Sequence, residues 1–171
     1  MSMRRLLLPT MLALIATATV SGPANAAAPD QVLGKGTHRV QNGDQFTDVT
    51  VDVNATDPTP GAGTDARGKL TFTVEQSVGP DATYKADPFC VNAEGDLGTV
   101  VGMVTEGTPA SIGQVLVVRI IDNGKGKDAP PDAFSFVFSN LTPEAAVAAG
   151  FCQPVPGVGP VTGDFEVRDR T

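Results

Sequence analysis

The sequence predicts a single all-β domain, an antiparallel β-sandwich or small closed β-barrel of about seven or eight strands, with one short capping helix near 143–149. Three observations carry that expectation. Apolar and polar residues alternate with period two along most of the chain, as half-buried strands require. The alternating stretches are separated by clusters of Gly, Asp and Asn, which tolerate tight turns. Helical periods do not alternate with the strand periods, which excludes a parallel α/β sheet.

The elements follow in order. Thr37 to Val40 is an expected first strand, and Asn42-Gly43 marks a tight turn because both residue types accept positive φ. Val49, Val51 and Val53 then share one face, with Thr50 and Asp52 on the other. Phe46 is out of phase with those valines, which suggests a bulge near Thr47-Asp48 or a later strand start. Residues 54–68 are polar and rich in Gly and Pro, and predict a long loop. Leu70, Phe72 and Val74 face inward from the next strand. Pro88 marks the stretch around Phe89-Cys90-Val91 as an edge strand or an interrupted one. Gly98 to Thr105 and Gln114 to Ile121 are apolar on both faces, so they sit centrally or have their second face covered. Phe134, Phe136 and Phe138 alternate with Ser135, Val137 and Ser139 in the most aromatic strand. Thr142 as cap, Pro143 at the first helical position, Glu144 and a run of alanines ending at Gly150 predict a two-turn helix. Gly163 to Arg168 is the expected last strand, with Phe165 and Val167 inward.

The chain begins with Arg4-Arg5, an apolar run from Leu6 to Val20 and the small-residue pattern Ala24-Asn25-Ala26. These are the three parts of a secretory signal peptide over 1–26, followed by one mature domain over 27–171. Without Arg4 and Arg5 the mature chain holds 10 basic against 19 acidic residues, a net charge of −9. So acidic a chain repels nucleic-acid backbones and anionic lipid, and no membrane insertion of the mature chain is expected. The expected location is secreted or extracellular, in the style of a bacterial leader, with an envelope or extracellular partner of unspecified identity. Cys90 and Cys152 both lie in the exported part, where an oxidising compartment favours one structural disulfide.

No catalytic set emerges. His38 is the only histidine, no Gly-x-Ser-x-Gly elbow occurs, and a paired Cys90 and Cys152 offer no thiol. With one His and two Cys there is no zinc or iron pattern, and no metal or cofactor is expected. The loop bearing Asp122, Asn123, Asp128 and Asp132 has the texture of a cation loop, but Lys125 and Lys127 occupy positions where oxygen ligands are needed. A Gly-rich turn whose Asp and Asn bond their own backbone is the plainer reading. Phe134, Phe136 and Phe138 are the candidate ligand-facing residues, should the strands enclose an apolar interior. With no Trp and one Tyr the chain is poor in platforms for carbohydrate.

One family resemblance stands beside these readings. Val117-Val118-Arg119-Ile120-Ile121-Asp122-Asn123-Gly124, followed by Asp132-Ala133-Phe134-Ser135-Phe136-Val137, resembles the strand–turn–strand hairpin of post-COAP-type domains, small secreted β modules of Gram-positive and actinobacterial extracellular proteins. Gly68-Lys69-Leu70-Thr71-Phe72, Cys90-Val91 with Val101-Gly102-Met103-Val104, and Gly163-Asp164-Phe165-Glu166-Val167 resemble other strands of that group. The likeness spans most of 34–169, interrupted by the insertion Thr142 to Pro160 that carries the helix and Cys152. It implies an extracellular all-β accessory module and supplies no catalytic residues. The expectation is therefore a secreted, non-catalytic envelope-associated module acting by binding or as an accessory structural unit. The alternatives are a carrier of a small hydrophobic ligand and a secreted hydrolase using two carboxylates.

Overall fold

The computed structural model describes residues 28–59 and 65–169; the expected leader over 1–26 lies outside the described residues. The described chain is all-β. Its strands are β1 (Asp30–Asn42), β2 (Gln45–Asp57), β3 (Arg67–Gln76), β4 (Ala82–Glu94), β5 (Leu97–Glu106), β6 (Val115–Ile121), β7 (Ala133–Ser139), β8 (Gly159–Pro160) and β9 (Thr162–Arg168), with helix α1 (Pro143–Ala148) between β7 and β8. They form one antiparallel sheet in the order β8-β7-β6-β5-β4-β3-β2-β1-β9. Each strand from β1 to β7 pairs with its successor, the simplest up-and-down path.

The two ends of this sheet are one piece of chain. Only Val161 separates β8 from β9, so residues 159–168 pair first with β7 and then with β1. That stretch turns an open meander into a nearly closed barrel and removes most of its edges. Close approach at the closure requires glycine. Gly34 lies opposite Phe165 with φ +123, and a Cβ there would stand 2.3 Å from the Asp164 carbonyl oxygen. A Cβ on Gly36 would fall 2.6 Å from the Phe165 ring. These glycines interrupt the apolar alternation, which explains why β1 is legible in sequence only from Thr37.

Inward-facing side chains fill the barrel. Val32, Val51, Val53, Leu70, Phe72, Val100, Leu116, Val118, Ile120 and Phe165 are fully or almost fully buried in one cluster. β5 and β6 are apolar on their outer face too because that face is covered. α1 and its flanks lay Ala146, Val147, Phe151 and Cys152 over Cys90, Val101, Val115 and Val117. Thr142 caps α1 by accepting the Ala145 N–H, Pro143 starts it, and Gly150 leaves it at φ +79. Cys90 and Cys152 form the disulfide, 62 residues apart in sequence and 6.2 Å between Cα atoms, and so fasten the cover to β4.

Three local expectations are corrected and a fourth is decided between its alternatives. The β1–β2 ladder runs without a register shift, so no bulge accommodates Phe46. Phe46 instead lies on the outer face with the Arg39 guanidinium 4.5 Å from its ring centre. The turn consists of Gly43 and Asp44, with Asn42 paired to Gln45 and positive φ at Gly43 alone. The loop after β2 is shorter than 54–68, because β2 runs to Asp57 and β3 begins at Arg67. Of the two readings of Pro88 the interrupted strand holds and the edge strand does not: β4 sits between β3 and β5, with register shifts at Lys85/Ala86 and Pro88/Cys90 that accommodate the missing N–H.

Candidate binding site

The strand path gives the barrel two chemically different ends. One holds the start of β1, the β2–β3 loop, the β4–β5 turn and the 122–132 loop. It is a carboxylate end. Asp30 and Asp57 face each other in the β1–β2 ladder, continue the inward parity of Val32 and Ala55, and have no accessible surface. Between Pro88 and Glu94 β4 pairs with β5 and has no β3 partner, so these carboxylates serve its free N–H groups. Asp30 Oδ2 accepts the Ala93 N–H at 3.0 Å, and Asp57 Oδ2 accepts the Val91 N–H at 3.3 Å. Burial pushes the Asp57 carboxyl above its ordinary range, against the N–H groups of Thr59 and Val91 that favour its charged form.

The same device closes the seam between β9 and the 122–132 loop. Asp132 is almost fully buried; Oδ1 accepts the Asn123 N–H at 2.8 Å and Oδ2 the Phe165 N–H at 2.6 Å. Asp122 accepts from Gly124 at 2.8 Å and from Val167 at 3.0 Å. Of the sequence-predicted loop residues, Asp122, Asn123 and Asp132 are thus brought together by backbone hydrogen bonds, while Asp128 is exposed in the turn. Among the described residues no group of three or more His, Cys, Asp or Glu side chains is placed to hold a metal ion.

The opposite end holds the Gly43-Asp44 turn, residues 77–81, residues 107–114 and the link from β7 to α1. It is aromatic. Phe72 lies 4.5 Å from Phe136, 5.5 Å from Phe138 and 6.0 Å from Tyr84, centre to centre. Tyr84 and Phe138 line a cavity of about 270 Å³ with Thr108, Ala110, Ser111 and Gln114. The three expected phenylalanines do share the inner face, but with graded exposure: Phe134 is buried, Phe138 half-buried and Phe136 43% exposed. Val40, on the inward face of β1, is 50% exposed.

The cause of that exposure is the incomplete closure. β8 pairs with β7 only at Ala133 and Phe134, and β9 pairs with β1 only from Gln31 to Thr37. Beyond those points residues 135–139 of β7 and 38–42 of β1 have no strand partner on the closing side among the described residues. His38 marks the boundary. It is half-buried, and its Nδ1 donates to the Pro160 carbonyl at 2.8 Å while its ring meets Phe134 edge-on. Arg39 and Asp48 pair beside it; the guanidinium holds the Asp48 carboxyl below its usual range.

Sequence reasoning missed Tyr84 and Phe72 as companions of Phe136 and Phe138, since the barrel joins three strands distant in sequence. It also missed Asp30 and Asp57 as inward carboxylates, although their parity with Val32 and Ala55 was visible. Within the described residues no helix is long and apolar enough to cross a membrane. No family model, curated protein or solved structure matches this chain.

Proposed function

We propose that the mature chain is an exported, non-catalytic β module that acts by binding an envelope or extracellular partner, and that the contact is made at the aromatic end. The observation that carries this reading is the distribution of exposed apolar side chains. Val40, Val78, Ile112, Phe136 and Leu141 lie on or next to that end; among the described residues the other exposed large apolar side chains are Val137, on the outer face of β7 opposite Val117, and Val158. Apolar side chains scattered singly need no explanation, but a gathering rimmed by polar turns marks an interaction surface. The leader-like first 26 residues and the single disulfide support export. The packed interior favours capture at the surface over carriage inside an enclosed cavity.

The chain carries its own reporter. Tyr84 lines the aromatic cavity and is the only tyrosine in a protein without tryptophan, so its emission reads that end alone. An apolar dye such as anilinonaphthalene sulfonate, titrated into residues 27–171, should bind saturably and change Tyr84 emission. Phe136→Ser should weaken that binding about tenfold, the equivalent of roughly 1.4 kcal/mol, while the urea midpoint verifies folding. Equal affinity of variant and parent, or dye uptake without saturation, contradicts the assignment.

A further inference from the structure

We infer that the gap between β7 and β1 accepts an extended, basic peptide strand from a partner protein, added as a further antiparallel strand; this deepens the binding reading above and rests on it. Near the carboxylate end residues 159–168 run between the two strands, Gly159 and Pro160 pairing with β7 and Thr162 to Arg168 with β1. Further along, the chain does not fill the gap, because Gly157 enters from the outer face, against the carbonyls of Arg119 and Ala133. β7 has no closing-side strand partner from Ser135 to Ser139, and β1 runs on past its last β9 pair at Thr37, with His38 held to the Pro160 carbonyl. β1 and β7 run in the same direction, so a guest continuing the line of β8 is antiparallel to both.

The chemistry of the gap fits a strand. Edge strands are normally guarded by charges, proline or bulges. β7 presents Ser135-Phe136-Val137-Phe138-Ser139 with no charge, no proline and no register shift. Its unpaired backbone groups call for an extended backbone, and alternate side chains of such a guest face Phe136, Phe138 and Val40, as in strand addition elsewhere. The rim sets the charge. At this end Asp44, Glu75, Asp81 and Glu144 have no ion pair among the described residues, whereas Arg39 is engaged by Asp48 and Lys85 by Glu106. A basic guest complements that rim. A second copy of a chain with net charge −9 over residues 27–171 does not.

The test uses the mature chain and capped heptapeptides of alternating lysine and apolar residues, Lys-Val-Lys-Phe-Lys-Val-Lys, read by calorimetry and by Tyr84 emission. The lysine peptide should bind at least about tenfold more tightly than its glutamate counterpart and weaken with added salt. Methylating three alternate backbone nitrogens of the peptide should abolish binding, since side chains and charge are kept while the ladder is lost. Undiminished binding of the methylated peptide overturns strand addition, and equal binding of the glutamate peptide overturns the basic guest. If no peptide binds while the dye still reports on Phe136, the strand inference fails and the aromatic-end reading stands. If neither binds, both fail.

Discussion

Replacing Cys90 and Cys152 together by alanine should destabilise the mature protein by roughly 4 kcal/mol, read as a lowered urea midpoint at constant slope. The bond closes a loop with a sequence separation of 62, long enough for a large loss of unfolded-state freedom. It also joins the cover to the barrel. Without it α1, only six residues long, must hold its place over Val101, Val115 and Val117 by packing alone. Partial unfolding of residues 140–157 should therefore accompany the global loss, seen as faster amide exchange there. A change below about 1 kcal/mol would mean that apolar contacts alone secure the cover.

Asp132→Ala should cost about 3–5 kcal/mol, among the largest effects of any single polar substitution in this chain. The carboxylate receives two backbone N–H groups from different elements, Asn123 in the loop and Phe165 in β9. Phe165 is fully buried, so removing the acceptor strands its N–H away from water. Asp132→Asn keeps one acceptor oxygen and should fall between wild type and alanine. Chemical denaturation of the three proteins decides the matter. A loss for Asp132→Ala no greater than that of a surface substitution, about 0.5 kcal/mol, would show that the barrel seam does not depend on this carboxylate.

The disulfide and Asp132 illustrate what could be read from the sequence and what could not. The disulfide needs only an even cysteine count and an oxidising compartment; β2, β3 and β7 announce themselves by alternation, and β5 and β6 by runs apolar on both faces. The helix was legible residue by residue, from the Thr142 cap to Gly150, because its signals are local. The role of Asp132 was not, since an aspartate in a Gly-Pro-rich loop looks the same whether it bonds its own turn or a strand 33 residues away. Likewise, β1 was foreshortened where Gly34 and Gly36 admit Phe165, a contact between the first and last strands. Alternation placed Phe134, Phe136 and Phe138 on the inner face correctly. It could not grade their exposure, which depends on where residues 159–168 stop filling the barrel wall.

Residue-resolved amide exchange on the free mature chain examines that unfilled wall directly. Within residues 38–42 and 135–139, the alternate amides facing away from β2 and β6 should exchange on the order of a hundredfold faster than amides of the β5–β6 ladder. Their neighbours, bonded within the ladders, should be slow, and Phe134 should mark a sharp boundary on β7. Uniform protection through Ser139 and Asn42 would mean that the barrel is sealed along its length in solution, leaving neither an accessible aromatic end nor room for a strand.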